Sequence, residues 1–205
     1  MNLLLTFFEP FGGDTVNASA RAAELLPTRI GAWSVVKQEL PVVFGLAGER
    51  CCALIDALRP EAVLMLGQAG GRNAVTPELA ARNHRWARIP DNAGRSPLGE
   101  PVIPGGEDAL FATLPVEAMT EAIRAAGIPA VLSTDAGRYV CNDLYYSVLS
   151  HLRGSGVRGG LCPRSRPAKH GAGADSPGPG GRRSGHSLME RPRLPRMGDD
   201  WKRSV

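Results

Sequence analysis

Ala62-Val63-Leu64-Met65-Leu66-Gly67-Gln68-Ala69-Gly70-Gly71-Arg72 is the stretch on which the fold turns. The apolar run from Ala62 to Leu66 leaves no polar face, as expected of a strand covered on both sides, whereas a strand with one wet face alternates. It opens directly into glycines, so a loop is expected from Gly67 to Arg72. Working outward, Asn2 to Phe8 is a second short apolar run, ending in Glu9-Pro10-Phe11-Gly12-Gly13, and Trp33 to Leu40 has strand character. Helical spacing falls between these pieces. Asn17 can cap a helix over about Ala18 to Leu26, because its side-chain oxygen can accept from free first-turn amides. Ala47 to Leu58, Val116 to Ala126 and Asn142 to Leu152 are further helices. Ile128 to Ser133 reads as a strand, Asn83 to Arg88 as another, and Pro90 to Gly106 as a long surface loop. Strands alternating with helices predict an α/β fold: a three-layer, open, mostly parallel twisted sheet with helices on both faces. Sites in such folds gather at the carboxyl ends of strands. The loops after Phe8, after Leu66 and before Cys141 all lie there.

A chain of 205 residues with 43% hydrophobic content suits one α/β domain with a sizeable core. The formal charge of +4 is unevenly placed. Up to Gly160 there are 14 Lys+Arg against 16 Asp+Glu, a net of -2; the remaining 45 residues hold 10 against 4, a net of +6. The reading therefore divides the chain into a domain over 1–160 and a basic Arg/Gly/Pro-rich tail over 161–205. Such a tail cannot bury enough apolar surface to offset its ordering entropy and is expected to be disordered. With Trp201 its one aromatic residue, it lacks the stacking groups of a nucleic-acid binder, so no nucleic acid is expected as partner. No apolar run approaches the roughly 20 residues of a membrane span, and the N-terminus lacks signal-peptide features, so a cytoplasmic protein without membrane contact is expected. Four cysteines without C-x-x-C spacing suit a reducing compartment and give no zinc site.

Cys141 is the candidate nucleophile. It stands in Ser133–Asp143, STDAGRYVCND, where an apolar stretch turns into a helix. A thiol at a helix N-terminus feels unsatisfied amides that favour thiolate. A buried structural cysteine is the competing reading there, and the preferred one for Cys51, Cys52 and Cys162. Glu78, after Thr76-Pro77, reads either as a solvated helix-start carboxylate or as a group that orients a histidine or anchors substrate. Phe8, Phe11 and Tyr139 are scarce aromatics at loops in a chain only 5% aromatic; together they could form a flat apolar slot for a small ring. Arg88 reads by itself as a surface charge.

Taken in order, FEPFGG followed by Asn17, GQAGGR followed by TPE, ARIPDN and AGRYVCN resemble the pyroglutamyl peptidase I family of bacterial cysteine exopeptidases. The resemblance covers about residues 1–160. It implies a cytosolic α/β enzyme, usually a homotetramer, with no metal or cofactor, acting on peptides with N-terminal pyroglutamate (5-oxoproline). It implies Cys141 and Glu78 as catalytic residues. Phe8, Phe11, Asn17, Gln68, Arg88, Ile89, Tyr139 and Val140 then bind or support substrate. Pyroglutamate carries no charged amine, so an aromatic slot with a few amide partners can recognise it without burying an unpaired charge. Attack by Cys141 would give a thioester acyl-enzyme that water hydrolyses.

The match ends after Arg158-Gly159-Gly160. The family pattern continues to a histidine; here Leu161-Cys162-Pro163-Arg164 follows, with Pro163 at the imidazole's position. The switch to Arg, Pro, Gly and Ala resembles translation in a shifted frame, starting at about residues 158 to 162. On this reading the C-terminal element, a final strand and helix, is missing. His151 lies about 15 Å along its helix from Cys141, too far for proton transfer. His84, His170 and His186 have no evident way to replace the missing base. The chain is expected to be weakly active or inactive, the alternative being a catalytically dead binder of pyroglutamyl peptides. Phe7, where the family has Gly, is expected to crowd the first loop.

Overall fold

The computed structural model describes residues 1–70 and 73–165. In chain order the elements are β1 (Asn2–Phe8), α1 (Ala18–Leu25), β2 (Arg29–Ile30), β3 (Trp33–Leu40), α2 (Leu46–Leu58), β4 (Ala62–Ala69), β5 (Ala80–Arg82), β6 (Arg85–Trp86), β7 (Leu98–Glu100), β8 (Ala109–Phe111), α3 (Val116–Ala125), α4 (Val140–His151) and β9 (Arg158–Ser165). The main sheet runs β2-β3-β1-β4-β9. β3, β1, β4 and β9 are parallel and only the short edge strand β2 is antiparallel. β5–β8 and β6–β7 form two small antiparallel pairs.

Side-chain alternation explains the layers. Leu4 and Phe8 of β1 and Val63 and Met65 of β4 join Ala47, Cys51 and Ile55 of α2 and Leu144, Tyr145 and Val148 of α4 in the larger core. The intervening residues Leu3, Leu5, Phe7, Leu64 and Leu66 point to the other face, where Ala23 of α1 and Val35 complete a smaller cluster. Phe7 is absorbed in that cluster and does not crowd the first loop. The continuous apolar run of β4 thus feeds two cores, as the sequence predicts. β1 is followed by β3 on one side, and the chain then crosses to β4 on the other side of β1. This reversal opens a crevice at the carboxyl ends of β1 and β4, the usual ligand position in open α/β sheets.

The predicted helices recur within two residues of their expected ends. Asn17 caps α1 by accepting from Ser19 N at 2.9 Å. Three expectations are corrected. Ile128 to Ser133 is not a strand: Ala130 and Ser133 make isolated bridges to Val75 and Glu78, because Pro77 and Pro129 have no N–H with which to continue a ladder. The region read as one strand over Asn83 to Arg88 holds only two-residue β6, preceded by β5, and the following loop contains β7. The apolar stretch's expected loop from Gly67 begins later, since β4 continues to Ala69.

The tail differs from expectation as well. Leu161 to Ser165 belong to β9, paired residue by residue with β4 from Ala62↔Arg158 to Ala69↔Ser165, so the strand that begins at Arg158 runs past the expected tail boundary at Gly160, and the final strand and helix expected to be missing beyond it lie outside the described residues. The glycines let neighbours close on both faces. A Cβ at Gly159 would stand 2.8 Å from Leu152 Cδ1 behind α4, and one at Gly160 would stand 3.0 Å from Leu114 Cδ1. The expected disorder from Arg166 onward lies outside the described residues. Among the described residues no helix is long and apolar enough to cross a membrane.

Candidate active site

A cavity of about 340 Å³ occupies the crevice and is lined by Phe8, Phe11, Asn17, Gln68, Glu78, Arg88, Tyr139, Val140 and Cys141, together with Val42, Ala69, Gly70, Ala136, Gly137 and Pro163. Small-ligand cavities run from roughly 300 to 1,000 Å³, so this one suits a small ring. The structure therefore gathers every predicted site residue except Ile89. That side chain is 46% exposed and lines a neighbouring depression. A second cavity, about 390 Å³, lies at the far end of α4 between Glu107, Leu152 and Val157 and contains no thiol.

Each element contributes a face. β1 delivers Phe8 and the loop with Phe11; β4 delivers Gln68; α4 delivers Val140 and Cys141 in its first turn. Tyr139 packs tilted on Phe11 with ring centroids 5.8 Å apart and edge-on against Phe44 at 5.4 Å. Its hydroxyl donates to Pro90 O at 3.0 Å, which fixes the ring. Asn17 Nδ2 donates to Glu9 O at 2.9 Å, and Gln68 Oε1 accepts from Ala18 N at 2.7 Å. Both amides line the cavity while holding the start of α1.

Glu78 is fully buried. This overturns its reading as a solvated helix-start carboxylate. Its backbone N–H donates to Leu161 O at 2.9 Å and its carbonyl accepts from Tyr145 Oη at 2.9 Å, so β9 and α4 both position it. The Cys141 thiol is pushed up to about 11, first by burial and then by the Glu78 charge, against the pull of the Gln68 and Cys141 backbone amides. The amides of Gln68 in β4 and of Cys141 at the helix start do reach the sulfur, but desolvation outweighs them. Pro163 follows on β9. A Cβ built on Gly67 would stand 3.4 Å from Cys141 Sγ and 3.7 Å from Pro163 Cβ, so the thiol and the pyrrolidine ring close on the same point of the cavity wall.

Several supporting residues escaped the sequence reading. Asn142 Oδ1 accepts from Arg82 N at 2.8 Å, and its Nδ2 donates to Arg82 O and His84 O. Buried Asp143 accepts from Arg85 Nε at 2.5 Å and Gly45 N at 2.6 Å. Asn92 Nδ2 donates to Glu9 Oε1 at 2.7 Å and to Pro10 O at 2.9 Å, and Asp91 accepts from Phe44, Ala93 and Arg95 amides. Their one available signal was position within the matched motifs AGRYVCN and ARIPDN or, for Asp143, directly after one. Of the described histidines, His151 contacts Asp56 at 2.8 Å and His84 is exposed; neither lines the cavity. Among the described residues no group of three or more His, Cys, Asp and Glu is placed to hold a metal.

A model of the family described as pyroglutamyl peptidase matches residues 1–162. The chain belongs to the pyroglutamyl peptidase family. Among similar family members, the pyrrolidone-carboxylate peptidase of Levilactobacillus brevis is 50% identical over 153 residues, 75% of this chain and 74% of that one. The Erwinia tasmaniensis pyrrolidone-carboxylate peptidase is 48% identical over 160 residues, covering 78% and 75%. The crystal structure of pyroglutamyl peptidase I from Bacillus amyloliquefaciens superposes with a TM-score of 0.78 at 39% identity, covering 80% of each chain. The α/β fold and the assignment to a cysteine peptidase family of pyroglutamyl peptidase type thus rest on both sequence and structure.

Proposed function

We propose that the Cys141 cavity receives the N-terminal pyroglutamyl group of peptides, and that this chain hydrolyses them weakly or not at all. The lactam would lie against Phe11 and Tyr139, with Asn17 and Gln68 near its amide edge. Cys141 Sγ would attack the carbonyl carbon after the ring. The peptide C–N bond would break, the amine would leave with a proton, and water would cleave the thioester to release 5-oxoproline and the thiol. Arg88 or the backbone amides beside Cys141 would stabilise the oxyanion.

The observation that carries the second half of the proposal is Pro163 in the wall of the cavity that holds the sulfur. A pyrrolidine ring can neither take the thiol proton nor return one to the departing amine. A thiol held up to about 11 is then almost wholly protonated at neutral pH. Loss of one member of such a unit costs about 10⁴ to 10⁶ in rate.

Incubation of the purified chain with a fluorogenic pyroglutamyl substrate tests the activity, and turnover at the rate usual for the family refutes the proposal. Calorimetry with 5-oxoproline tests the second reading, a binder without turnover. The buried, aromatic and preformed slot favours that reading; absence of heat at millimolar ligand counts against it. Pyroglutamyl peptides as partners, a cytoplasmic setting and a homotetramer belong to the same proposal, the last measurable by sedimentation equilibrium.

A further inference from the structure

The cavity mouth leads to a second surface. Of the residues that line the cavity, the exposed ones are Gly70, Arg88 and Gly137; the others are buried or half-buried. Arg88 and Gly137, with Tyr139, also line an adjoining shallow trough of about 740 Å³, whose remaining wall is formed by Trp86, Ile89, Asp135 and Arg138. Trp86 and Ile89 are 44% and 46% exposed there. Single exposed apolar side chains are ordinary on protein surfaces. Here two share one trough that adjoins the mouth of the thiol cavity.

The trough is also held in shape. Trp86 N donates to Arg138 O at 2.9 Å, joining its two walls, and Ala87 N donates to Pro97 O at 2.9 Å behind it. Arg138 Nη1 meets Asp135 Oδ1 at 2.5 Å and Gly137 O at 2.8 Å, so its charge is already engaged.

Resting on the cavity reading above, the geometry points to the Trp86–Ile89 trough as the subsite for the residue that follows pyroglutamate, selecting a large apolar or aromatic side chain. With the lactam against Phe11 and Tyr139 and its carbonyl at Cys141, the next residue emerges over Arg88 and Gly137. An aromatic side chain then lies along Trp86 and removes apolar surface on both partners from water, whereas glycine leaves Trp86 wet.

The test is calorimetry on the full chain carrying Cys141→Ser, so that nothing is cleaved, with 5-oxoproline, pyroglutamyl-glycine and pyroglutamyl-phenylalanine. Pyroglutamyl-phenylalanine is expected to bind about tenfold more tightly than pyroglutamyl-glycine, a discrimination ordinary for a partly enclosed apolar contact. Adding Trp86→Ser should remove most of that ratio and Trp86→Phe should keep it, with the melting temperature and 5-oxoproline affinity unchanged in both; Ile89→Ser is the independent second variant. Equal affinity for the two dipeptides with 5-oxoproline binding intact overturns the trough alone. Absence of binding by all three overturns the cavity reading and the trough with it.

Discussion

Cys141 and Pro163 flank the same point above Gly67, where a Cβ would stand 3.4 Å from the sulfur and 3.7 Å from the proline Cβ. The two groups approach from different elements, α4 and β9, and β9 holds its register with β4 through Gly67↔Pro163. Position 163 therefore lines the same cavity as the nucleophile, and the residue there bears on what proton chemistry the cavity has.

Pro163→His should raise kcat/KM on a pyroglutamyl amide substrate by about 10² to 10⁴, the usual contribution of a positioned acid–base group. The backbone tolerates the change, since Pro163 contributes its carbonyl to Thr76 N at 3.0 Å and any residue supplies that. Buried Glu78 would then face an imidazole as well as a thiol. A melting temperature near that of the unmodified chain with no gain in rate would remove Pro163 as the reason for weak activity.

Thiol reactivity should follow the same logic. With Cys141 held up to about 11, alkylation by iodoacetamide is expected to rise about tenfold per pH unit from pH 7 to 10, read at the Cys141 peptide by mass spectrometry. Site resolution matters because Cys52 is also pushed up to about 11, by burial and by Asp56. A rate that is flat from pH 6 to 9 would mean an already ionised sulfur and would contradict the burial argument.

Several buried acids share this direction, which makes a prediction for the whole domain. Burial raises Cys141 and Cys52 to about 11 and Cys162 and Tyr139 to about 12, above ordinary values of 9.0 for cysteine and 10.0 for tyrosine. Between the unfolded and folded values the folded chain keeps protons that the unfolded chain has released, so stability falls as pH rises. The contribution is complete below about pH 9 and is lost through pH 11 to 12. Urea midpoints should be level from pH 7 to 8.5 and then decline; a midpoint independent of pH up to 10.5 would show that these groups titrate alike in both states.

Asp143 carries the largest expected cost of a single substitution. It is fully buried and accepts from Arg85 Nε and Gly45 N, which ties the start of α4 to β6 and to the loop after β3. Asp143→Ala leaves the Arg85 charge, itself only 14% exposed, without its partner and should destabilise by about 3 to 5 kcal/mol in urea titration. Glu121→Ala, which breaks the exposed pair with Arg124, should cost under about 1 kcal/mol. Comparable losses for the two would show that burial does not set the scale.

How much of this was legible in the sequence differs by element. β1, β3 and β4 were readable because their apolar residues supply both cores directly, and the helices because their faces repeat at 3.6 residues. β9 was not. Arg158-Gly159-Gly160-Leu161-Cys162-Pro163-Arg164-Ser165 has two glycines and a proline and no alternation, and its strand conformation comes from pairing with β4, a tertiary effect that local propensity does not report. Pro77 and Pro129 misled in the other direction, since an apolar stretch looks like a strand even where its neighbour cannot donate. Motif order brought together all but one of the site residues, yet it gave no account of Asn142 and Asp143, whose partners lie 58 to 98 positions away in sequence.

Gly48 tests the packing beneath the site. It lies in α2 where α4 crosses, and a Cβ there would stand 2.8 Å from Ser147 Cβ and 2.9 Å from Ser147 Oγ. Propensity alone favours alanine in a helix, by about 0.8 to 1.0 kcal/mol over glycine. Overpacking against an atom fixed to the α4 backbone opposes it, at typically 1 to 3 kcal/mol. The contact should win, so Gly48→Ala is expected to lower stability by about 1 to 2 kcal/mol and to slacken the α2–α4 crossing that carries Cys141. Gly48→Ala with Ser147→Gly should recover most of the loss; a single variant as stable as the unmodified chain would mean that the two helices stand further apart than this contact requires.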